Sequence, residues 1–271
     1  FPSLNARPSG TFEDWLKRLR NELTNQDAPF AVNLIVHRTN ERLEEDLALC
    51  VKYQVPMVIT SLGARTDLNE AIHSYGGIVF HDVIDDLFAR KAIEKGADGL
   101  VAVAAGAGGH AGTISPFALV QEIRAWFDGP LALSGSISTG GAIAAARALG
   151  ADFGYIGSAF IATEEANAEA GYKQMIVDSE ASDIVYSNLF TGVHGNYLKP
   201  SIIAAGLDPD ALAVSDPTKM DFGALVEGTK AWRDIWGCGQ GIGTIDKIVP
   251  TAELVARLGR EYRAALVRLA A

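Results

Sequence analysis

His110 stands in the run Ala104-Ala105-Gly106-Ala107-Gly108-Gly109-His110-Ala111-Gly112, where it is the one side chain able to exchange a proton near neutral pH. Four glycines within residues 106–112 let backbone approach a ligand closely and present its N–H groups. The imidazole is therefore a candidate acid, base or hydrogen-bond donor. A second stretch, Ser134-Gly135-Ser136-Ile137-Ser138-Thr139-Gly140-Gly141, leads into a helix expected from Ala142. Its free N–H groups and the helix dipole suit an anion such as a phosphate. Gly157-Ser158-Ala159-Phe160 follows the next strand, and Trp236-Gly237-Cys238-Gly239-Gln240-Gly241 forms a late Gly-rich loop. His81 ends an apolar strand and is expected on the same rim as His110. His194, beside Gly195 and Tyr197, is a candidate lid group, and His37 and His73 read as surface residues. Cys50 falls on an apolar helix face, and Cys238 has no base beside it in sequence. Neither implies a disulfide framework or a metal site.

The elements that must position these groups alternate. Helical spacing covers 12–24, capped by Thr11; strands are expected at 29–36, 56–61, 77–82, 98–104, 130–135 and 153–158. Helices fall between them at about 41–53, 67–75, 85–95, 116–127 and 140–149, the fourth opened by Ser115 as N-cap and Pro116 as first helical residue. Short, nearly continuous apolar strands alternating with amphipathic helices mean a parallel sheet covered by helices. Six strands leave two architectures open: an open doubly wound sheet, or a (β/α)8 barrel whose first two βα units precede Phe1. On the second count the strands at 130–135 and 153–158 are the seventh and eighth, whose loops often bind phosphate in barrels. Beyond residue 162 the rhythm changes. Helices are expected at 163–185, 198–206, about 222–232 and 251–270, with loops at 187–197, 207–221 and 236–244. Residues 165–235 thus read as a mostly helical appendage to a barrel of residues 1–164, to which 236–271 returns.

The 271 residues carry a formal charge of −10, which argues against nucleic-acid or anionic-membrane partners. No apolar run of 18 residues and no signal peptide is visible, and cysteine usage fits a cytoplasmic protein. There is no Gly-x-Gly-x-x-Gly opening a Rossmann unit and no Walker A motif.

The histidine loop 105–112 resembles that of the nitronate monooxygenases, formerly 2-nitropropane dioxygenases. The stretch from Leu133 to Ala166 is similar to that family's FMN-phosphate loops, Phe30–Leu34 looks like its third barrel strand, and Trp236–Gly243 resembles a late Gly-Gln-Gly loop. The resemblance runs over essentially the whole chain. It implies a (β/α)8 TIM barrel with a small helical appendage, FMN as cofactor, and oxidation of alkyl nitronates with O2 to a carbonyl compound and nitrite. It implies His110 as the catalytic group, and Asn33, Ser61, His81, Gly106, Gly109, Gly135, Ser136, Gly157, Ser158 and Gln240 around the cofactor, with no metal. The partners would be a small-molecule substrate and O2, with a homo-oligomer left open. FMN-dependent NAD(P)H reductases of enoyl thioesters or quinones have similar loops and form the alternative. Three departures stand out. No Ala-Pro-Met strand is present, Ser136 replaces a usual glycine, and Ala159 stands where an arginine is common.

Overall fold

The computed structural model describes residues 1–7, 10–215, 225–226, 229–230 and 234–271. Of the expected helix at about 222–232, Leu225–Val226 and Thr229–Lys230 are described and pair as short antiparallel strands instead, while its other residues lie outside the described residues. In chain order the elements used here are α1 (Thr11–Glu22), β1 (Ala31–Ile35), α2 (Leu43–Lys52), β2 (Met57–Ser61), α3 (Thr66–His73), β3 (Ile78–Val83), α4 (Asp86–Glu94), β4 (Gly99–Val103), β5 (Gly109–His110), α5 (Pro116–Arg124), β6 (Leu131–Ser134), α6 (Gly140–Leu149), β7 (Phe153–Tyr155), α7 (Ser158–Ile161), α8 (Ala170–Val177), β8 (Ile184–Ser187), β9 (Gly195–Leu198), α9 (Lys199–Ala204) and α10 (Thr251–Ala270). Six strands form one sheet in the order β1-β2-β3-β4-β6-β7. The β1–β2, β2–β3 and β6–β7 pairs are parallel, so the fold is α/β with helices following the strands.

The chain divides into two compact units, Phe1–Val101 with Asp128–Leu131, and Ala102–Phe127 with Ala132–Ala271. In the first, strand alternation sorts side chains cleanly. Val32, Leu34, Val58 and Val79 pack with Leu16, Leu43, Leu47, Cys50, Leu68 and Ile72 from the helices. This apolar stripe on each helix is what the 3.6-residue spacing requires. Cys50 is fully buried in that layer, and burial pushes its thiol up to about 12, so it is inert filler. Residues of the opposite parity, Asn33, Ile59, Ser61, Phe80 and Asp82, share the other face of β1–β3.

In the second unit Ser115 caps α5 through the Phe117 N–H with Pro116 at the first position, as its sequence predicts. The expected helix 163–185 is not continuous. Glu164 N–H bonds Val249 O, and the Glu165 carboxylate accepts from Thr251 N–H and its hydroxyl, so contacts far along the chain pin residues 163–165. Only α8 forms a regular helix there; a turn capped reciprocally by Glu180 and Asp183 then leads into β8. The expected loop 187–197 also gives way, because β9 is an antiparallel strand between β8 and β5. The Tyr, Val and Ile of 184–186 have the β-branched and aromatic character that a helical reading of this stretch underweights.

Candidate active site

The first unit holds a polar corner on one face of β1–β3. Asn33 Nδ2 donates to Ile59 O at 3.2 Å and to Ser61 Oγ at 2.7 Å. Ser61 donates to Asp82 Oδ2 at 2.5 Å. Asp82 Oδ1 is sealed from solvent and has no hydrogen-bond partner among the described residues. Burial pushes the Asp82 carboxyl up to about 6, and the Ser61 hydrogen bond opposes that rise.

His81 does not join this corner. It pairs in register with Thr60, and residues 79 and 81 share the helix-covered face with Leu34. Its Nδ1 lies 2.5 Å from Thr60 Oγ1, and burial lowers its pKa to about 4. The side chain that reaches the face of Asn33 and Ser61 is Asp82, one residue further on. With a period of two, a shift of one residue exchanges faces, and this is why His81 departs from the expected rim.

The second unit gathers the histidine loop and the Gly-rich loops. Gly106 O accepts from both Ser136 N–H (3.2 Å) and Gln240 N–H (2.9 Å), so one carbonyl ties three loops together. Gly108 and Gly239 pack backbone to backbone: a Cβ on Gly108 would stand 2.8 Å from Gly239 N. A Cβ on Gly195 would stand 2.8 Å from Gly109 O, where β5 pairs with β9. Close approach of the protein's own chain thus accounts for Gly108 and Gly195, while Gly109 adopts φ +72°, the left-handed region that favours glycine. Ser136 adopts φ +55°, the left-handed region in which glycine is the relaxed choice.

His110 is half-buried, and burial lowers its pKa to about 4, so the ring is neutral at pH 7. Its Nε2 lies 2.9 Å from Thr191 Oγ1. Ala111 N–H donates to His194 O, and Tyr186 Oη donates to Ala111 O at 2.8 Å. Tyr186 stacks on the His194 ring, while Tyr197 is buried against Phe190. The β8–β9 hairpin therefore grips the histidine loop from both sides of His110. Thr191 and Asp82 carried no motif; pairing and strand parity reveal them.

A cleft of about 450 Å³ opens beside these loops, lined by Ser136, Ser138, Thr139, Glu180, Gln240 and Gly241 among others. The start of α6 is not left open for an anion: Gly140 N–H bonds Glu261 Oε2 at 2.8 Å, and Ala142 N–H bonds Thr139 Oγ1. A carboxylate of the chain itself answers that helix dipole. Ser138 Oγ donates to Gly241 O, and Ser158 Oγ accepts from Gly239 N–H. At Gly157 a Cβ would meet nothing within 4 Å. Cys238 is buried, its thiol pushed up to about 11, and is no nucleophile. No cluster of metal-ligating side chains and no helix able to cross a membrane occurs among the described residues.

The profile of the nitronate monooxygenase family matches residues 3–261. The chain belongs to the nitronate monooxygenase family. It is 29% identical over 197 residues to the nitronate monooxygenase of Paraburkholderia phytofirmans, covering 67% of this chain and 53% of that protein. It is 31% identical over 184 residues to the nitronate monooxygenase of Pseudomonas aeruginosa, covering 62% of this chain and 52% of that protein. The chain thus spans about half the length of these curated relatives. Among solved structures, FabK from Thermotoga maritima has a TM-score of 0.78 at 26% identity, covering 97% of this chain and 84% of that one. The nitroalkane oxidase from Streptomyces ansochromogenes has a TM-score of 0.79 at 24% identity, covering 95% and 87%, and shares the fold.

Proposed function

We propose that this chain oxidises alkyl nitronates with O2 to a carbonyl compound and nitrite, using FMN. The observation that carries the reading is His110: a neutral imidazole on a clamped, glycine-framed loop, in a chain of this family. The full barrel, with 165–235 as an appendage, is part of the same proposal.

The residues fit the cofactor in separate ways. The cleft beside Ser136 and Gln240 offers hydroxyls and glycine backbone to a phosphate, although the Glu180 carboxylate also lines it. Ser136 N–H is engaged by Gly106 O, so the Ser136 hydroxyl, and the backbone of Gly157 and Ser158, would contribute more than the Ser136 amide. In the first unit Asn33 keeps its carbonyl oxygen without a partner among the described residues, suited to a ligand N–H. When bound, FMN takes electrons from the substrate and passes them to O2.

The chain's own task is orientation and proton handling. Neutral His110 accepts a proton or a hydrogen bond at one ring nitrogen and donates at the other. With a pKa near 4 it is a weak base, better matched to a preformed nitronate than to a nitroalkane whose α-proton must be removed. The decisive experiment mixes the purified protein, at the length of its relatives, with a nitronate or with NADH under anaerobic conditions. Bleaching of the flavin absorbance by the nitronate alone supports the proposal; bleaching by NADH alone rejects it. The second reading, an FMN-dependent NAD(P)H reductase of an enoyl thioester or quinone, is supported by the FabK similarity at 26% identity.

A further inference from the structure

Asn33, Ser61 and Asp82 form a one-way chain of hydrogen bonds across three strands. Ile59 O can only accept, so the Asn33 atom facing it is Nδ2, and the amide orientation follows. The second amide hydrogen goes to Ser61 Oγ, so both are consumed inside the protein. Ser61 passes its own hydrogen to Asp82 Oδ2. The chain ends on a carboxylate, which when ionised has no hydrogen to return. Burying that carboxylate with one partner and an orphan Oδ1 is costly, and an apolar residue on this face would avoid the cost. His81 and Thr60, the adjacent polar pair, lie on the opposite face and form their own hydrogen bond.

We propose that Asp82 is a positioning residue that acts through Ser61 to lock the Asn33 amide with its carbonyl oxygen as the one atom offered to a ligand. The corner then selects a ligand bearing a ring N–H, and the imide N3–H of a flavin is the matching group. The ligand's identity rests on the FMN reading above; the lock does not.

Two measurements separate these. In the full chain without flavin, hydrogen exchange of the Asn33 side-chain amide is followed by NMR, its signals assigned by their loss in Asn33→Asp. Ser61→Ala and Asp82→Leu are expected to speed exchange by about tenfold or more. Asp82→Asn, whose carbonyl still accepts from Ser61, stays within about threefold of wild type. Kd is then measured with FMN and with N3-methyl FMN. Wild type and Asp82→Asn are expected to prefer FMN by about tenfold, and Ser61→Ala and Asp82→Leu by about twofold or less. Unchanged amide exchange in Ser61→Ala overturns the lock, even if Asp82→Leu fails to fold. Equal binding of both probes by wild type overturns the selection of a ring N–H. Binding of neither probe overturns the FMN reading instead, while the exchange data still decide the lock.

Discussion

Thr191 Oγ1 stands 2.9 Å from His110 Nε2, across 81 residues of sequence. The same hydroxyl donates to Val193 O at 3.1 Å, so its hydrogen is committed and a lone pair faces the imidazole. A lone pair against a neutral ring selects the Nε2–H tautomer and leaves the basic lone pair on Nδ1. A residue of the β8–β9 hairpin thereby decides which nitrogen of His110 is basic.

Thr191→Val keeps the shape but removes the acceptor, leaving a buried N–H without its partner. We expect a loss of about 1–3 kcal/mol in stability and roughly tenfold in kcat/KM with a nitronate. Thr191→Ser should restore both. Denaturant unfolding and steady-state kinetics check this, and wild-type kinetics in Thr191→Val would remove Thr191 from the mechanism.

His110→Asn should fold and retain FMN. If His110 takes the α-proton of a nitroalkane, the variant loses about 10²–10⁴-fold on that substrate and far less on the preformed nitronate. Equal losses on both would assign His110 to binding. Because its pKa is about 4, activity should hold steady from pH 7 down to about 5 and fall only as the ring protonates below that.

Gly157 and Gly108 predict opposite outcomes. A Cβ at Gly157, where φ is negative, meets only open space, so Gly157→Ala should change stability by no more than about 0.5 kcal/mol. Any drop in its FMN affinity then reports a ligand lying against that backbone. Gly108→Ala places a Cβ 2.8 Å from Gly239 N and should cost about 1–3 kcal/mol with or without flavin. Gly135 cannot serve as such a probe, since a side chain there meets Ala105 O at 2.8 Å before it meets a ligand.

His81, His110 and Asp82 should each make stability depend on acid. His81 and His110 have folded pKa values near 4, below the ordinary 6.5, so the unfolded chain binds more protons between pH 4 and 6.5. Their contribution is full above that window and is lost as pH falls through it. Asp82, raised from 3.8 to about 6, acts in the opposite sense: its contribution is present at low pH and is lost as pH rises through about 6. Asp82→Asn removes the opposing slope. Its acid sensitivity between pH 4 and 6 should steepen, and above pH 6 it should gain up to about 3 kcal/mol on wild type. Denaturant midpoints at pH 4.5, 5.5 and 7 test the sign.

Local pattern alone determined much of this protein. The alternation of β1–β4, β6 and β7 with α2–α6, the Ser115–Pro116 start of α5 and the span of α10 all lie in windows of a few residues, where side-chain period and capping chemistry act. The histidine loop and its glycines were equally legible. Their partners were not, because each lies far along the chain: Gly239 against Gly108, Gly195 against Gly109, Thr191 against His110. The same distance effect broke the expected helix after Thr163, where residues 249–251 supply the bonds, and made strands of β8 and β9, which gain their hydrogen bonds only by pairing. His81 and Asp82 show the limit most sharply. Both faces of β3 are mostly apolar, so its composition cannot say which side is which. Packing of the helices on Val79 settled it, turning His81 toward the helix layer and Asp82 toward Asn33 and Ser61.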